Sequence, residues 1–238
     1  MNIYNFDILE STSKTARDML KNSADYPLPF FVIANEQSGG KGRMGRKFFS
    51  PAGSGIYLTA AFKQVDLPVF SDITMRAALA VCFAIEAVFE LQPQIKWVND
   101  IYLGNKKVCG ILAESVENAE KEKIILLGIG INCNITNFPD ELKDKAASIA
   151  DFAVFGADSK EKLIDGVINQ ILNFEKCDIV AEYKARSLLL GKKIKIVDKS
   201  SEYCAFAIDI ADNGGLIIEK ADNSIETLIS GDISVSVV

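Results

Sequence analysis

The 238-residue sequence predicts an α+β fold, mostly antiparallel sheet with helices on one face, followed by a small C-terminal β-barrel. Three observations carry that expectation. Apolar runs of strand length alternate with stretches of helical period over the first 190 residues. The runs between 94 and 132 follow one another through short turns, as antiparallel strands do. From Lys192 onward only short β runs occur, separated by turn residues.

In order along the chain, residues 3–9 are strand-like, and Ser11, Thr12 and Ser13 then precede Ala16, Met19 and Leu20, the start of a short, capped amphipathic helix. Residues 30–36, FFVIANE, read as a buried strand. A polar, glycine-rich loop over 38–55 leads into a strand over 56–62. Residues 74–91 are too long and too rich in Ala and Leu for an ordinary strand and predict a buried helix. Strands follow over 94–98, 101–103, 108–116 and 124–132, with Gly104-Asn105 turning one hairpin and the charged ENAEKEK stretch another. Leu163, Ile164, Val167, Ile168, Ile171 and Leu172 recur at helical spacing, and a further helix is expected from Asp178 to about Leu189, where Gly191 stops it. The runs KIKIV, YCAFAIDI, LIIE, IETLI and ISVSV complete the chain, so the expected domains are residues 1–190 and 191–238.

Composition excludes much chemistry. There is no histidine, which removes Ser-His and Cys-His nucleophile systems and any imidazole base or ligand. The five cysteines, Cys82, Cys109, Cys133, Cys177 and Cys204, are odd in number and never form C-x-x-C, so neither a disulfide framework nor a metal cage is expected, and no metal ligands are assigned. A reducing cytoplasm fits. The net charge of −6 argues against a nucleic-acid partner, and no signal peptide or membrane span is read.

Against that acidic background, the stretch 37–65 holds five cations (Lys41, Arg43, Arg46, Lys47 and Lys63) and no acid. Gly40-Lys41-Gly42-Arg43-Met44-Gly45 satisfies G-x-G-x-x-G, but a strand rather than a helix follows, so it is not a dinucleotide fingerprint. Lys41 precedes Gly42 where a Walker A loop needs Ser or Thr, and a chain without histidine lacks the protein-kinase His-Arg-Asp loop. Backbone N–H groups and cations converging on a phosphate or carboxylate remain, beside the plainer reading of a solvated loop. Likewise Lys96 is a phosphate ligand or a solvent-facing lysine, and Lys107 an anion ligand or a charged hairpin end. Asn99-Asp100 is most simply a turn, and Gly128 and Gly130 allow close packing of a core strand.

Taken together, Glu-Ser-Thr-Ser at 10–13, GKGRMGRKFFSP at 40–51, KWVNDIYL at 96–103, KKVCGILAES at 106–115 and GIGINCN at 128–134 resemble, in order and spacing, the motifs of biotin protein ligases. The resemblance implies the catalytic fold shared with class II aminoacyl-tRNA synthetases and an SH3-like C-terminal barrel. It implies activation of biotin with ATP and Mg²⁺ to biotinyl-5′-AMP, then transfer to a lysine on a biotin carboxyl carrier domain of a carboxylase. Biotin would lie against Ser11, Thr12, Ser13, Gln37, Lys41, Gly42, Arg43, Lys107, Gly110 and Gly130. ATP and the adenylate would meet Arg43, Arg46, Phe48, Lys96, Asn99, Lys107 and Asn132, with Lys107 and Arg43 catalytic. Lys41, Ser13, Val98 and Phe48 replace the family's usual Arg, Asn, Pro and Trp.

Without histidine the chemistry is electrostatic: an ionised carboxylate attacks an anionic phosphorus, and fixed cations relieve the repulsion. Strand alternation lets only one of Lys106 and Lys107 face the acyl phosphate, provided the strand is regular through Cys109, since a bulge would exchange them. Rival readings are a lipoate or octanoate ligase or transferase and a non-catalytic nucleotide-binding regulator. A start so close to the catalytic motifs leads us to expect no N-terminal DNA-binding domain, and a homodimer is the oligomer considered.

Overall fold

The computed structural model describes residues 1–22, 26–64, 73–173, 178–197, 201–229 and 234–238. Val65, Cys177 and Ile233 of the sequence reading lie outside the described residues.

Seven strands form one sheet: β1 (Asn2–Leu9), β2 (Phe30–Gln37), β3 (Gly55–Lys63), β4 (Gln94–Lys96), β5 (Asp100–Leu103), β6 (Lys106–Glu117) and β7 (Lys123–Asn132). Their order is β1-β2-β3-β7-β6-β5-β4. As expected the sheet is mostly antiparallel; β1 and β2 alone run parallel. Period-two alternation along β2 sends Phe31 and Ile33 to one face and Phe30 and Val32 to the other, and all four are buried. A strand apolar on both sides needs cover on both sides. The cover on the first face is α2 (Ile73–Phe89), on which α3 (Ser159–Leu172) and α4 (Ile179–Ala185) pack. On the second face α1 (Thr12–Asn22) lays Ala16 and Leu20 against Phe30, Val32, Ala61 and Leu126. The helices therefore occupy both faces, not one as expected.

Small residues let α2 and α3 approach closely: a Cβ added at Gly166 of α3 would sit 3.2 Å from the Ala84 Cβ of α2. The helix expected to reach Leu189 ends at Ala185 because the next residues are claimed by a strand. Ile95 donates its N–H to the Arg186 carbonyl at 2.7 Å, and Leu188 donates to the Ile95 carbonyl at 2.8 Å.

The C-terminal strands β8 (Lys193–Val197), β9 (Glu202–Ile210), β10 (Leu216–Lys220), β11 (Ile225–Leu228) and β12 (Ser234–Val237) form an antiparallel sheet in the order β11-β10-β9-β8-β12. The expected closed barrel is thus an open sheet among the described residues, with β11 and β12 at its two edges. Its inner face needs no closure on itself, since Ile194, Ile196, Ala205, Ala207, Leu216 and Ile218 join the same apolar core as α2 and the first sheet. Trp97 Nε1 adds a hydrogen bond of 2.9 Å to the Gly214 carbonyl.

Arg186 clamps α4 to α2. Its guanidinium bonds both Glu86 oxygens at 2.7 and 2.9 Å, pairs with Glu182, and stacks over Phe83 with its side chain 18% exposed. Removing it strands two partly buried carboxylates. Arg186→Ala is expected to cost about 2 kcal/mol of stability, read as a lower urea midpoint with an unchanged slope.

Candidate active site

A cleft of about 400 Å³ opens where the N-terminus of α1, the glycine-rich loop, the β4–β5 connection and the centres of β6 and β7 meet. Its floor is a glycine pair. Gly110 of β6 and Gly130 of β7 are cross-strand partners, and a Cβ at Gly130 would lie 2.5 Å from the Phe48 ring. Only backbone without a side chain lets that ring lie flat across both strands.

The loop arching over the floor is a small hairpin of its own. Lys41 and Lys47 pair across it, the Gly42 N–H donates to the Arg46 carbonyl at 2.7 Å, and Arg46 N–H donates to the Arg43 carbonyl at 3.2 Å. The tip residues Met44 and Gly45 have φ of 58° and 71°, the pair of left-handed conformations of a type I′ turn. Glycine adopts that geometry freely, whereas Met44 holds it at a cost. The tight turn throws Arg43 across the cleft, where its Nη1 donates to Asn99 Oδ1 at 3.2 Å. Asn99 is itself fixed, its amide donating to the Ile111 carbonyl at 2.6 Å.

At the α1 end the lining is neutral and hydroxylic. Gln37 Oε1 accepts from the Thr12 N–H at 2.8 Å, satisfying an orphan donor of the helix start, and from Thr12 Oγ1 at 3.1 Å. Thr59, fully buried on β3, links Thr12 Oγ1 at 2.8 Å with Ser13 Oγ at 3.0 Å, while Gln37 Nε2 donates to Ser50 Oγ at 3.0 Å. Ser11 lies in the same wall.

The opposite end is cationic, and a bulge aims its central lysine. On β5, Ile101 pairs with Cys109 and Tyr102 with Lys107, leaving Val108 as an extra residue on β6. Counted back from Gly110 in the cleft, regular alternation would turn Val108 and Lys106 inward. The strand is therefore not regular through Cys109, as the sequence reading had required: the bulge buries Val108 beside Cys109 in the core and sends Lys107, not Lys106, into the cleft. Lys106 points away and donates to the Lys143 carbonyl. The Lys107 backbone is pinned from the far side: its N–H donates to the Lys145 carbonyl at 2.9 Å, and Ala147 N–H donates to its carbonyl at 3.0 Å.

Seven cations line the cleft (Lys41, Arg43, Arg46, Lys47, Lys96, Lys107 and Lys145) against one carboxylate, Asp100, whose Oδ1 lies 2.6 Å from Lys107 Nζ. Lys96 is not solvent-facing: it is half-buried over the Tyr102 ring. Burial holds its ammonium below the usual lysine range, with Asp100 opposing and Lys107 and Arg46 adding to the shift. Among the described residues no cluster of three His, Cys, Asp or Glu could hold a metal ion.

The structure therefore brings together Ser11, Thr12, Ser13, Gln37, Lys41, Gly42, Arg43, Arg46, Phe48, Lys96, Asn99, Lys107, Gly110 and Gly130 around one cleft. Asn132 is not in that lining; its amide donates to the Ala147 carbonyl at 3.1 Å and braces the segment that pins Lys107. Sequence reasoning missed Thr59, Asp100 and Lys145. Thr59 was a small polar residue at the centre of a mostly apolar strand, a signal that could have found it, and Asp100 stood inside the KWVNDIYL motif. Lys145 sits in a loop with no motif of its own.

Residues 6–132 match the model of the biotin/lipoate A/B protein ligase family, and residues 189–236 match that of the biotin protein ligase C terminal domain. The bifunctional ligase/repressor BirA of Bacillus subtilis is 33% identical over 95% of this chain and 72% of that protein. The biotin–[acetyl-CoA-carboxylase] ligase of Mycobacterium tuberculosis is 27% identical over 95% of this chain and 87% of its own. Among solved structures, the biotin protein ligase of Aquifex aeolicus in complex with biotin and ATP superposes with a TM-score of 0.83 at 24% identity, over 100% of this chain and 99% of that one, a likeness of fold. With a family model spanning more than half its length and a relative one-third identical over nearly all of it, the chain belongs to the biotin/lipoate A/B protein ligase family.

Proposed function

We propose that this cleft joins biotin to ATP and then passes biotin to a protein lysine. The chain is an ATP-dependent biotin protein ligase, a C–N bond-forming enzyme. The observation that carries the reading is the contrast between the two ends of one glycine-floored cleft, hydroxylic at Ser13, Thr59, Thr12 and Gln37 and strongly cationic around Lys107. Rotatable hydroxyls that both donate and accept suit the ureido ring of biotin. The cations suit a carboxylate meeting a triphosphate. The match of residues 189–236 to a biotin protein ligase domain favours biotin over lipoate.

In the first step the biotin carboxylate attacks the α-phosphorus of ATP and pyrophosphate leaves. Arg43 and Lys107 meet the adjacent residues Asn99 and Asp100, and their charge offsets the repulsion between the two anions. Lys96 and Arg46 add charge toward the phosphates, and Phe48 offers its ring to the adenine. Lys41 and Lys47, directly opposite each other in the hairpin, repel until an anion lies between them. For Mg²⁺ the donor set does not fit a resident ion, because the described lining offers a single carboxylate. Magnesium belongs to the nucleotide.

The names of the relatives point to the biotin-bearing domain of a carboxylase as acceptor. No helix among the described residues is long and apolar enough to cross a membrane, and Cys82, Cys109, Cys133 and Cys204 are free thiols, which favours a reducing cytoplasm. Of the two expected domains, residues 1–190 supply every cleft residue with an assigned role. Residues 191–238 add Val235 to its wall.

Isothermal titration with biotin, ATP and both together, followed by mass spectrometry for the adenylate, tests the function; absence of adenylate and of pyrophosphate release would sink it. Lys107→Ala should slow adenylate formation roughly 10²-fold, on the scale of about 3 kcal/mol of transition-state stabilisation, while Lys106→Ala, outside the cleft, should cost far less. Near-equal rates for the two variants in a pyrophosphate assay would contradict the register. The lowered ammonium of Lys96 loses its proton earlier than a free lysine as pH rises, so activity should fall on that side. Lys96→Arg, which stays charged, should move the alkaline limb of the pH–rate profile upward; an unmoved limb would mean that the charge of Lys96 is not used.

A further inference from the structure

Transfer to a lysine poses a problem that the cations cannot solve. An amine side chain is an ammonium at neutral pH, has no lone pair to attack with, and enters a cleft that repels it. The cleft must hold a group that attracts the ammonium and takes its proton. Hydroxyls and amides do not act as bases at neutral pH, and histidine is absent from the chain. Among the described residues lining the cleft, one carboxylate remains, Asp100 at the head of β5.

We propose that Asp100 receives the acceptor lysine's proton in the transfer step, released for that task when Lys107 turns to the adenylate. The inference rests on the ligase reading above. Asp100 lies opposite Lys96 in the β4–β5 ladder and 2.6 Å from Lys107 Nζ, with Tyr102 two residues along its own strand. Its Oδ1 is buried yet receives no aligned hydrogen bond, so charge alone holds Lys107 there. Lys107 Nζ also lies beside Gly110, where an added Cβ would be 3.0 Å away, and so borders the glycine floor of the cleft. An acyl phosphate on that floor offers Lys107 a second anion within a short swing of the side chain. The carboxylate it leaves is then the one side-chain anion of the described lining free to take the incoming ammonium's proton.

The step balances without any further reactant. The ammonium gives one proton to the Asp100 carboxylate and becomes a neutral amine. Its nitrogen attacks the acyl carbon, the C–N bond forms, and the C–O bond to phosphorus breaks with its electron pair left on the AMP phosphate. The second nitrogen proton leaves with AMP or to water, and the proton on Asp100 passes to solvent. Asp100 is catalytic in the strict sense, touching the reacting nitrogen.

The test separates a base from a structural carboxylate by changing the nucleophile. Protein is loaded with separately prepared biotinyl-5′-AMP, so that adenylate formation is bypassed. It is then offered Nα-acetyl-lysine amide or hydroxylamine at neutral pH, and the biotinyl amide and hydroxamate are measured by mass spectrometry. Hydroxylamine is already neutral and needs no base. Asp100→Asn should slow amide formation roughly 10²-fold and leave hydroxamate formation close to wild type, with Asp100→Glu restoring part of the amide rate. Amide formation at the wild-type rate in Asp100→Asn would overturn the proposal. Equal losses toward both nucleophiles would also overturn it, marking Asp100 as a positioning residue. Should the Asn variant not fold, Asp100→Ser carries the same comparison. Pyrophosphate release by the wild-type protein is followed separately, so failure of the ligase reading is distinguishable from failure of this one.

Discussion

Gathering like charges is the constraint on which this structure turns. Seven cations share one cleft in a protein whose net charge is −6, and the backbone around three of them sets where they stand. Lys107 is aimed by the unpaired Val108 in β6, and Arg43 by a tight turn whose tip spends a strained Met44. Lys96 stands on a three-residue strand pinned by the Ile95 bonds to the chain after α4. Backbone hydrogen bonds fix where these side chains start, so only short side-chain swings separate them from the anion when it arrives.

The neutral end of the cleft obeys a different rule. There the polar groups already satisfy one another, through a chain that runs from Ser13 to Thr59, Thr12, Gln37 and Ser50. A closed network of this kind costs little when empty and can rotate its hydroxyls to greet a ligand. The cationic end, in contrast, is unbalanced when empty. Binding energy is therefore concentrated where the bond is made, which is where it lowers a barrier.

Much of this was legible in the sequence because it is local. The glycine-rich hairpin, the Lys96-Trp97 and Lys106-Lys107 segments and the hydroxyl triplet at 11–13 each carry their chemistry within a few neighbouring residues. What escaped is set by register and packing. The bulge at Val108 depends on β5 and the loop through Lys145 gripping β6 together, and no pattern inside β6 announces it. The position of α1 on the second face follows from β2 being apolar on both sides, a fact present in FFVIA although the helices were expected on one face. The last five strands looked like a barrel because strand lengths and turns do not record which core their inner face will join.

The bond from Trp97 Nε1 to the Gly214 carbonyl has a spectroscopic consequence. Trp97 is the single tryptophan of the chain, it is buried, and it lines the cleft while anchoring the turn between β9 and β10. The protein's whole indole emission thus arises from one ring touching both the ligand cavity and the C-terminal sheet. A change in the solvation of that ring or in its bond to Gly214 alters the colour and intensity of the light, giving the molecule a native fluorophore at its own working centre.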